Sequence, residues 1–250
     1  MEALILAAGY SKRLYPLTEN FPKPLLNIGG KPIIEHIINK IPNTSKIHII
    51  TNNKFYNHFL SWKNKFKTDL EIEILNDGTM SNEDRLGAIG DINFVINKKN
   101  IKNNLLILGG DQLFTFNLDN FIDFFNKENK DIVMVVKEKD REAIKHASSI
   151  ILDKNNRITF FEEKPQNPRS DFVSRCMYIY KKETLKLIKQ YLDEGNNHDQ
   201  PGSFVQWLYK KKEVLGYISK KDIIDIGTHE SLEKARKLFS LPASNNLAGN

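Results

Sequence analysis

The sequence has very little cysteine and lacks any long apolar run. Its 250 residues include one cysteine, so the chain cannot form an internal disulfide, and a cysteine-based zinc site is not expected. No stretch approaches the roughly 20 apolar residues that a membrane helix requires. The apolar N-terminus has no basic leading region and predicts a first strand rather than a signal peptide. A cytoplasmic protein with no membrane partner is therefore expected.

The positive charge is scattered and not clustered. The formal net charge is +6, and lysine pairs and triplets are spread over the whole chain. A nucleic-acid-binding protein usually gathers its basic residues on one face or along one stripe. The scattering argues against nucleic acid as a partner, whereas a polyphosphate pocket needs only a few well-placed cations.

Two common nucleotide-binding motifs are also absent. The sequence contains no G-x-x-x-x-G-K-[ST] pattern, which excludes a P-loop. The first glycine turn does not match G-x-G-x-x-G either, because Ser11 and Leu14 stand where the later glycines belong. A dinucleotide-dependent oxidoreductase is therefore disfavoured.

Short apolar runs alternate with amphipathic segments in the first half of the chain. Buried strands are predicted at residues 3–8, 46–51, 71–75, 104–108 and 131–136. Helices are predicted at residues 33–41, 55–66, 86–96 and 118–125. This alternation predicts an α/β, Rossmann-like fold with a mixed, mostly parallel sheet and helices on both faces.

The second half mixes strand and helix patterns. We predict a hairpin over residues 148–161, strands at 175–180 and 214–218, and helices at 183–192, 203–211 and 229–239. This region adds a small β-rich portion to the predicted fold. We expect a single domain over residues 1–240, followed by a flexible polar tail at residues 241–250. Ligands of such sheets bind beyond the carboxyl ends of the strands, so candidate site residues should follow the strands.

The loop after the first strand has the features of a phosphate site. Its segment Leu6-Ala7-Ala8-Gly9 is small enough for the backbone to approach a phosphate, and successive N–H groups can cradle an anion. Arg13 adds a forked guanidinium suited to phosphate. Lys23 follows, stiffened by a proline on each side. On their own these residues are compatible with a basic pocket for a polyphosphate and equally with an ordinary turn that carries a solvated arginine.

Taken together, these motifs resemble the signature of the sugar-phosphate nucleotidyltransferases, a family that includes glucose-1-phosphate thymidylyltransferase. The matching segments, in order, are residues 6–9, 13–14, 16–18, 22–25, 29–33, 76–78, 86–91, 110–111, 161–165 and 225–228. The resemblance spans residues 3–239. It implies an enzyme that transfers a nucleoside monophosphate from an NTP to a small phosphorylated acceptor and releases pyrophosphate, with Mg²⁺ as cofactor.

The resemblance also implies a role for individual residues. Arg13 and Lys23 would be catalytic, because they would hold the phosphates whose charge changes during transfer. Asp111 and Asp225 would be the metal ligands, in keeping with the preference of magnesium for one or two carboxylates plus phosphate oxygens. The residues expected to contact the nucleotide are Leu6, Ala7, Ala8, Gly9, Asn82, Gly87 and Asp111. The residues expected to contact the acceptor are Glu163, Lys164 and Cys176.

The sequence departs from the family pattern mainly in its acceptor half. Cys176 replaces a usual glycine, the segment 145–148 replaces another, and the usual tryptophan before residues 225–228 is missing. In the loop after the first strand, Ser11 stands where the family has a second glycine. Glycines of the acceptor half leave room for a hexose, so we expect a remodelled acceptor pocket. The acceptor would be an unusual sugar phosphate or a small non-sugar phosphate.

The sequence leaves several functions open. The leading hypothesis is an enzyme that makes an activated precursor for a surface polysaccharide or capsule, using CTP, UTP or dTTP, as a monomer or small homo-oligomer. One alternative is a cytidylyltransferase acting on a phosphocholine-like or amino-acid phosphate. A catalytically inactive regulatory subunit is another, although the predicted catalytic and metal-binding residues are all present. A glycosyltransferase is disfavoured, because Asp111 does not begin an Asp-x-Asp motif.

Overall fold

The structure follows the predicted alternation of strands and helices. The computed structural model describes residues 1–42 and 44–240. The strands in this part of the chain are β1 (Glu2–Leu6), β2 (Asn27–Ile28), β3 (Lys31–Pro32), β4 (Ile47–Thr51), β5 (Ile72–Asn76), β6 (Leu105–Gly109), β7 (Gln112–Phe114), β8 (Asp131–Lys137), β9 (Ser148–Leu152), β10 (Ile158–Glu163), β11 (Phe172–Tyr180), β12 (Val214–Ile218) and β13 (Ile223–Asp225). The α-helices are α1 (Ile33–Ile38), α2 (Tyr56–Lys63), α3 (Gly87–Lys99), α4 (Asp119–Glu128), α5 (Arg141–Lys145), α6 (Lys182–Asp193), α7 (Pro201–Leu208) and α8 (His229–Ser240). Single 3-10 turns occur at Lys12–Leu14 and Lys23–Leu25.

The central sheet has seven strands in the order β12-β8-β11-β6-β1-β4-β5. β11 runs antiparallel to both of its neighbours, and the other adjacent pairs are parallel. The predicted mixed, mostly parallel sheet is therefore confirmed. Separate antiparallel ladders join β9 to β10, β7 to β13 and β2 to β3. The first of these is the predicted hairpin.

Helices cover both faces of the sheet. On one face, buried side chains of α1, α2, α4 and α8 form a core with alternate residues of β1, including Ala3 and Ile5. On the other face, Leu4 joins a second core with α3, α6 and α7. Burial on both faces explains why the central strands read as continuous apolar runs in the sequence.

Several local features differ from the predictions. α1 ends at Ile38, although the isoleucine spacing predicted a helix through Ile41. The chain leaves the helix by two overlapping four-residue turns, in which the Lys40 amide donates to the Ile37 carbonyl and the Ile41 amide to the Ile38 carbonyl. Pro42 explains the early end, because a proline disfavours helical geometry at the preceding residue. The short elements β2, β3, β7, β13 and α5 were not predicted, because two to five residues are too few to show a periodic pattern.

The C-terminal tail and the membrane-spanning potential of the helices complete the comparison with the predicted fold. The tail predicted at residues 241–250 lies outside the described residues. Within the ranges 1–42 and 44–240, no helix combines the length and apolar character needed to cross a membrane.

Candidate active site

A cleft of about 300 Å³ opens where the loop after β1, the end of β6 and the start of α3 meet. The predicted site residues that line it are Leu6, Ala7, Ala8, Gly9, Lys23, Gly87, Asp111, Cys176 and Asp225. Four polar residues that the sequence did not single out also line it, namely Arg85, Asp91, Gln112 and Asp199. The cleft lies beyond the carboxyl ends of the parallel strands, the expected place in such a sheet.

Lys23 joins the two segments that carry the predicted metal ligands. Its ammonium donates to Asp111 Oδ2 over 2.6 Å and to the carbonyl oxygen of Ile226 over 2.8 Å. The Ile226 amide in turn donates to the Asp111 carbonyl over 3.0 Å. In the ladder between β7 and β13, Asp225 pairs with Gln112, the residue after Asp111. Distant parts of the sequence therefore place both aspartates in one cleft.

The charge of this cluster suits a divalent cation. Asp225 is partly exposed to the cleft. Desolvation of its carboxyl group nevertheless raises its pKa, and the negative charge of Asp111 acts in the same direction. Lys23, Arg175 and Arg13 act in the opposite direction without cancelling the effect. Because the negative charge of Asp111 helps to raise the pKa of Asp225, a cation bound between the two carboxyl groups would relieve their repulsion.

The residues present fit magnesium when nucleotide is also bound. Among the described residues, no group of three or more His, Cys, Asp or Glu side chains is placed to hold a metal by itself. Magnesium keeps several water molecules and is commonly held by one or two carboxylates together with substrate phosphates. The pair Asp111 and Asp225 offers that number of carboxylates.

Arg13, a predicted catalytic residue, is not among the residues that line the cleft, but its guanidinium lies close to Asp225. A Cβ atom placed on Gly227 would lie 3.2 Å from Arg13 Nη2 and 3.6 Å from Asp225 Oδ1.

The turn before Arg13 contains Ser11 in the left-handed conformation, with φ of 49°, and Thr18 Oγ1 donates to the Ser11 carbonyl over 2.8 Å. Such a conformation favours glycine, which explains why the family pattern has glycine there.

Gly87 begins α3 in a position that no other residue could occupy unchanged. Its φ is +76°, and an added Cβ would lie 2.6 Å from the His198 carbonyl oxygen. That carbonyl accepts a hydrogen bond of 2.8 Å from the Ile89 amide. Since α3 has no side-chain cap of its own, the chain at His198 satisfies part of its N-terminal turn.

An ion pair that the sequence did not predict stands beside this turn. Arg85 donates from Nε and Nη2 to the two carboxylate oxygens of Asp199, over 3.1 and 3.0 Å. Its Nη1 donates to the Asn82 carbonyl over 2.5 Å. Asn82 does not itself line the cleft, whereas Arg85, which contacts its carbonyl, does. The base-reading role of Asn82 stays a prediction.

The predicted acceptor residues are only partly gathered in the cleft. Cys176 lines it, with its sulfur 3.4 Å from a Cβ placed on Gly109. Glu163 packs against Gly202, where an added Cβ would overlap its carboxylate, and burial raises the pKa of Glu163 to about 7. Lys164 is exposed, and its amide donates to the Ala147 carbonyl over 2.8 Å. Glu163 and Lys164 thus stand outside the cleft wall, beside the α7 end of the site.

Comparison with known proteins relates the whole fold to one family. The family model described as "Nucleotidyl transferase" matches residues 2–240. A bifunctional protein GlmU of Methanocaldococcus jannaschii is 30% identical over 222 residues, which cover 86% of this chain and 48% of that protein. A glucose-1-phosphate adenylyltransferase of Thermotoga maritima is 30% identical over 257 residues, covering 96% of this chain and 60% of that protein. The chain spans about half the length of the curated relatives it matches.

Solved structures share the fold at lower identity. A Bacillus anthracis protein described as a glucose-1-phosphate thymidylyltransferase superposes with a TM-score of 0.80 at 22% identity, covering 96% of this chain and 95% of the other. A UDP-glucose pyrophosphorylase in complex with UDP-glucose gives a TM-score of 0.78 at 18% identity, covering 95% and 97%. At these identities the likeness establishes the common fold.

Proposed function

This chain belongs to the nucleotidyl transferase family, and from that premise we propose that it transfers a nucleoside monophosphate from an NTP to a small phosphorylated acceptor, releasing pyrophosphate. The observation that carries the proposal is the bond from Lys23 to Asp111 and Ile226, which holds Asp111 beside Asp225 in the cleft. The names of the related proteins, an adenylyltransferase and GlmU, support the same class of reaction.

The chain's own residues would act mainly by position and charge. The backbone of Ala8 and Gly9 would receive the triphosphate, and Arg13 would stabilise the charge that leaves as pyrophosphate. Lys23 would hold the attacked α-phosphate near the acceptor phosphate. Asp111 and Asp225 would hold magnesium, which when bound would neutralise phosphate charge. An acceptor phosphate is already deprotonated at neutral pH, so no general base is required.

We further propose a sugar 1-phosphate or a phosphate of similar size as the acceptor, with CTP, UTP or dTTP as the donor and a polysaccharide precursor as the product. A second candidate is a cytidylyltransferase for a non-sugar phosphate. It is favoured by Cys176, whose side chain stands in the cleft where the family pattern has glycine. A larger side chain there leaves less room for a hexose.

The test is pyrophosphate release with magnesium, each of the four NTPs and a panel of acceptors. The panel contains hexose 1-phosphates, phosphocholine and phosphorylated amino acids. We expect one donor and acceptor pair to stand out and Asp111→Asn to abolish the signal without unfolding the protein. Nucleotide binding with no turnover for any pair would instead support a regulatory subunit.

A further inference from the structure

A buried acid pair stands at the α3 end of the cleft, away from the metal-binding aspartates. Asp91 lies on the second turn of α3, is 5% exposed and lines the cleft. Asp77 follows β5 and is within hydrogen-bonding reach of Asp91. One oxygen of each carboxyl, Asp77 Oδ2 and Asp91 Oδ1, is buried and has no other partner.

The bonds around Asp77 fix where a proton must be. Its other oxygen, Oδ1, accepts from the Thr79 amide over 2.7 Å and from Thr79 Oγ1 over 2.9 Å. Because that hydroxyl proton points to Asp77, Tyr10 must be the donor in its 3.1 Å bond to Thr79. Asp77 therefore behaves as a carboxylate toward Thr79. Because the two side chains lie within hydrogen-bonding reach of each other, one proton shared between Asp77 and Asp91 would supply the hydrogen bond that their buried oxygens lack.

We propose that Asp77 and Asp91 share one proton, and that this acid pair positions the nucleobase end of the cleft by joining α3 to the loop after β5. The chain of bonds runs from Tyr10, next to the phosphate loop, through Thr79 and Asp77 to α3. It therefore couples the segment expected to hold phosphates to the segment expected to hold the base. The statement that a nucleotide occupies these segments rests on the proposed function, whereas the shared proton does not.

The surrounding charges agree with a protonated pair. Burial, together with the negative charges of Asp77 and Asp199, raises the pKa of Asp91 to about 8. Burial also raises the pKa of Asp77, with Asp84 contributing in the same direction. Tyr10 faces the pair and its own pKa is raised above 10, so it stays neutral.

The expected pH dependence follows from the sign of these shifts. The pKa of an unfolded aspartate is about 3.9, so the folded protein holds one additional proton from about pH 4 to about pH 8. The contribution of this proton to the stability of the folded protein is complete below about pH 4 and is lost as the pH rises from about 4 to about 8. Asp91→Asn supplies an amide donor to Asp77 and needs no proton. The folding constant of the wild type, divided by that of Asp91→Asn, should fall by about tenfold per pH unit between pH 5 and pH 7.

The test is denaturant unfolding of both proteins across this range, without nucleotide. Other titrating groups are common to both proteins and cancel in the ratio. Parallel stability curves would overturn the shared proton. If Asp91→Asn does not fold, the reciprocal variant Asp77→Asn takes its place and should show the same loss of pH dependence in its stability.

The positioning role has its own readout. Asp91→Leu leaves Asp77 without its partner, and we expect faster amide exchange at Thr79 and Ile89 than in the wild type or in Asp91→Asn. Unchanged exchange in Asp91→Leu would overturn the positioning role.

Nucleotide binding gives a second readout. Titration with the magnesium complexes of CTP, UTP and dTTP should show weaker binding at pH 9 than at pH 7 in the wild type but not in Asp91→Asn. Absence of nucleotide binding at every pH would count against the proposed function, while the unfolding and exchange measurements still decide the acid pair.

Discussion

The ammonium of Lys23 lies 2.6 Å from Asp111 Oδ2, although the two residues are 88 positions apart in the sequence. Lys23 is 9% exposed, so its second bond, to the Ile226 carbonyl, is also shielded from water. One side chain therefore holds the middle and the late segments of the site together.

We expect Lys23→Met to lower kcat by about 100-fold or more, because a fixed cation near the transferred phosphate is lost. Stability should fall by about 1–3 kcal/mol, since the variant leaves polar groups without partners. Steady-state pyrophosphate release and urea unfolding measure the two effects. Lys12→Met is the control, because Lys12 is exposed and paired with Glu83. Equal losses in both variants would contradict the role of Lys23.

Gly87→Ala should disrupt the start of α3. The substitution combines a positive φ with a clash at the His198 carbonyl, and overpacking of this kind costs about 1–3 kcal/mol beyond the backbone strain. Gly78→Ala is the matched control, because Gly78 has φ of +86° and open space around its Cβ position. Its cost should be limited to about 1–2 kcal/mol of strain. Thermal unfolding and NTP affinity should both separate the two variants, and equal effects would show that packing at His198 is unimportant.

Magnesium affinity should weaken at mildly acidic pH. The pKa of Asp225 is raised, so this carboxyl takes up a proton at a higher pH than an ordinary aspartate, and that proton competes with the metal. We expect the apparent dissociation constant for magnesium in the presence of NTP to rise by up to about tenfold per pH unit once the pH falls below that pKa. Calorimetric titration from pH 5 to pH 8 measures it. Asp225→Asn should bind magnesium weakly at every pH, and a wild-type affinity independent of pH would contradict the prediction.

The acceptor KM should fall as the pH rises through about 7. Burial raises the pKa of Glu163 to about 7, and the deprotonated form accepts hydrogen bonds from acceptor hydroxyls more strongly. Glu163→Gln should remove this dependence while leaving the KM for NTP unchanged. Initial rates at pH 6, 7 and 8 with varied acceptor measure the effect. If both proteins show the same pH profile, Glu163 does not contact the acceptor.

The alternation of apolar runs was sufficient to predict the sheet and its helices. The pattern follows directly from burial, because the central parallel strands β1, β4 and β6 are covered on both faces. The position of the loop after β1 at the cleft could also be predicted, since its small residues follow the first strand directly; its phosphate-binding role stays a prediction. The early end of α1 shows the limit of periodicity, because the isoleucine spacing continues beyond the last helical turn.

The remaining parts of the site depend on encounters between distant segments. Arg85 and Asp199 are separated by 114 positions, and neither belongs to a local motif. Asp91 reads in the sequence as one polar residue in a helix, and only the fold shows that it faces Asp77. Pairing of Asp111 with Asp225 came from family resemblance, since a three-residue ladder has too little pattern to predict on its own.

The ladder between β7 and β13 has a consequence for biosynthesis. During translation the phosphate loop, Lys23 and Asp111 leave the ribosome well before Asp225 and Ile226. Until the late strand arrives, the Lys23 ammonium lacks one acceptor and the acidic pair is half formed. A nascent chain therefore carries an incomplete cleft until β13 docks against β7.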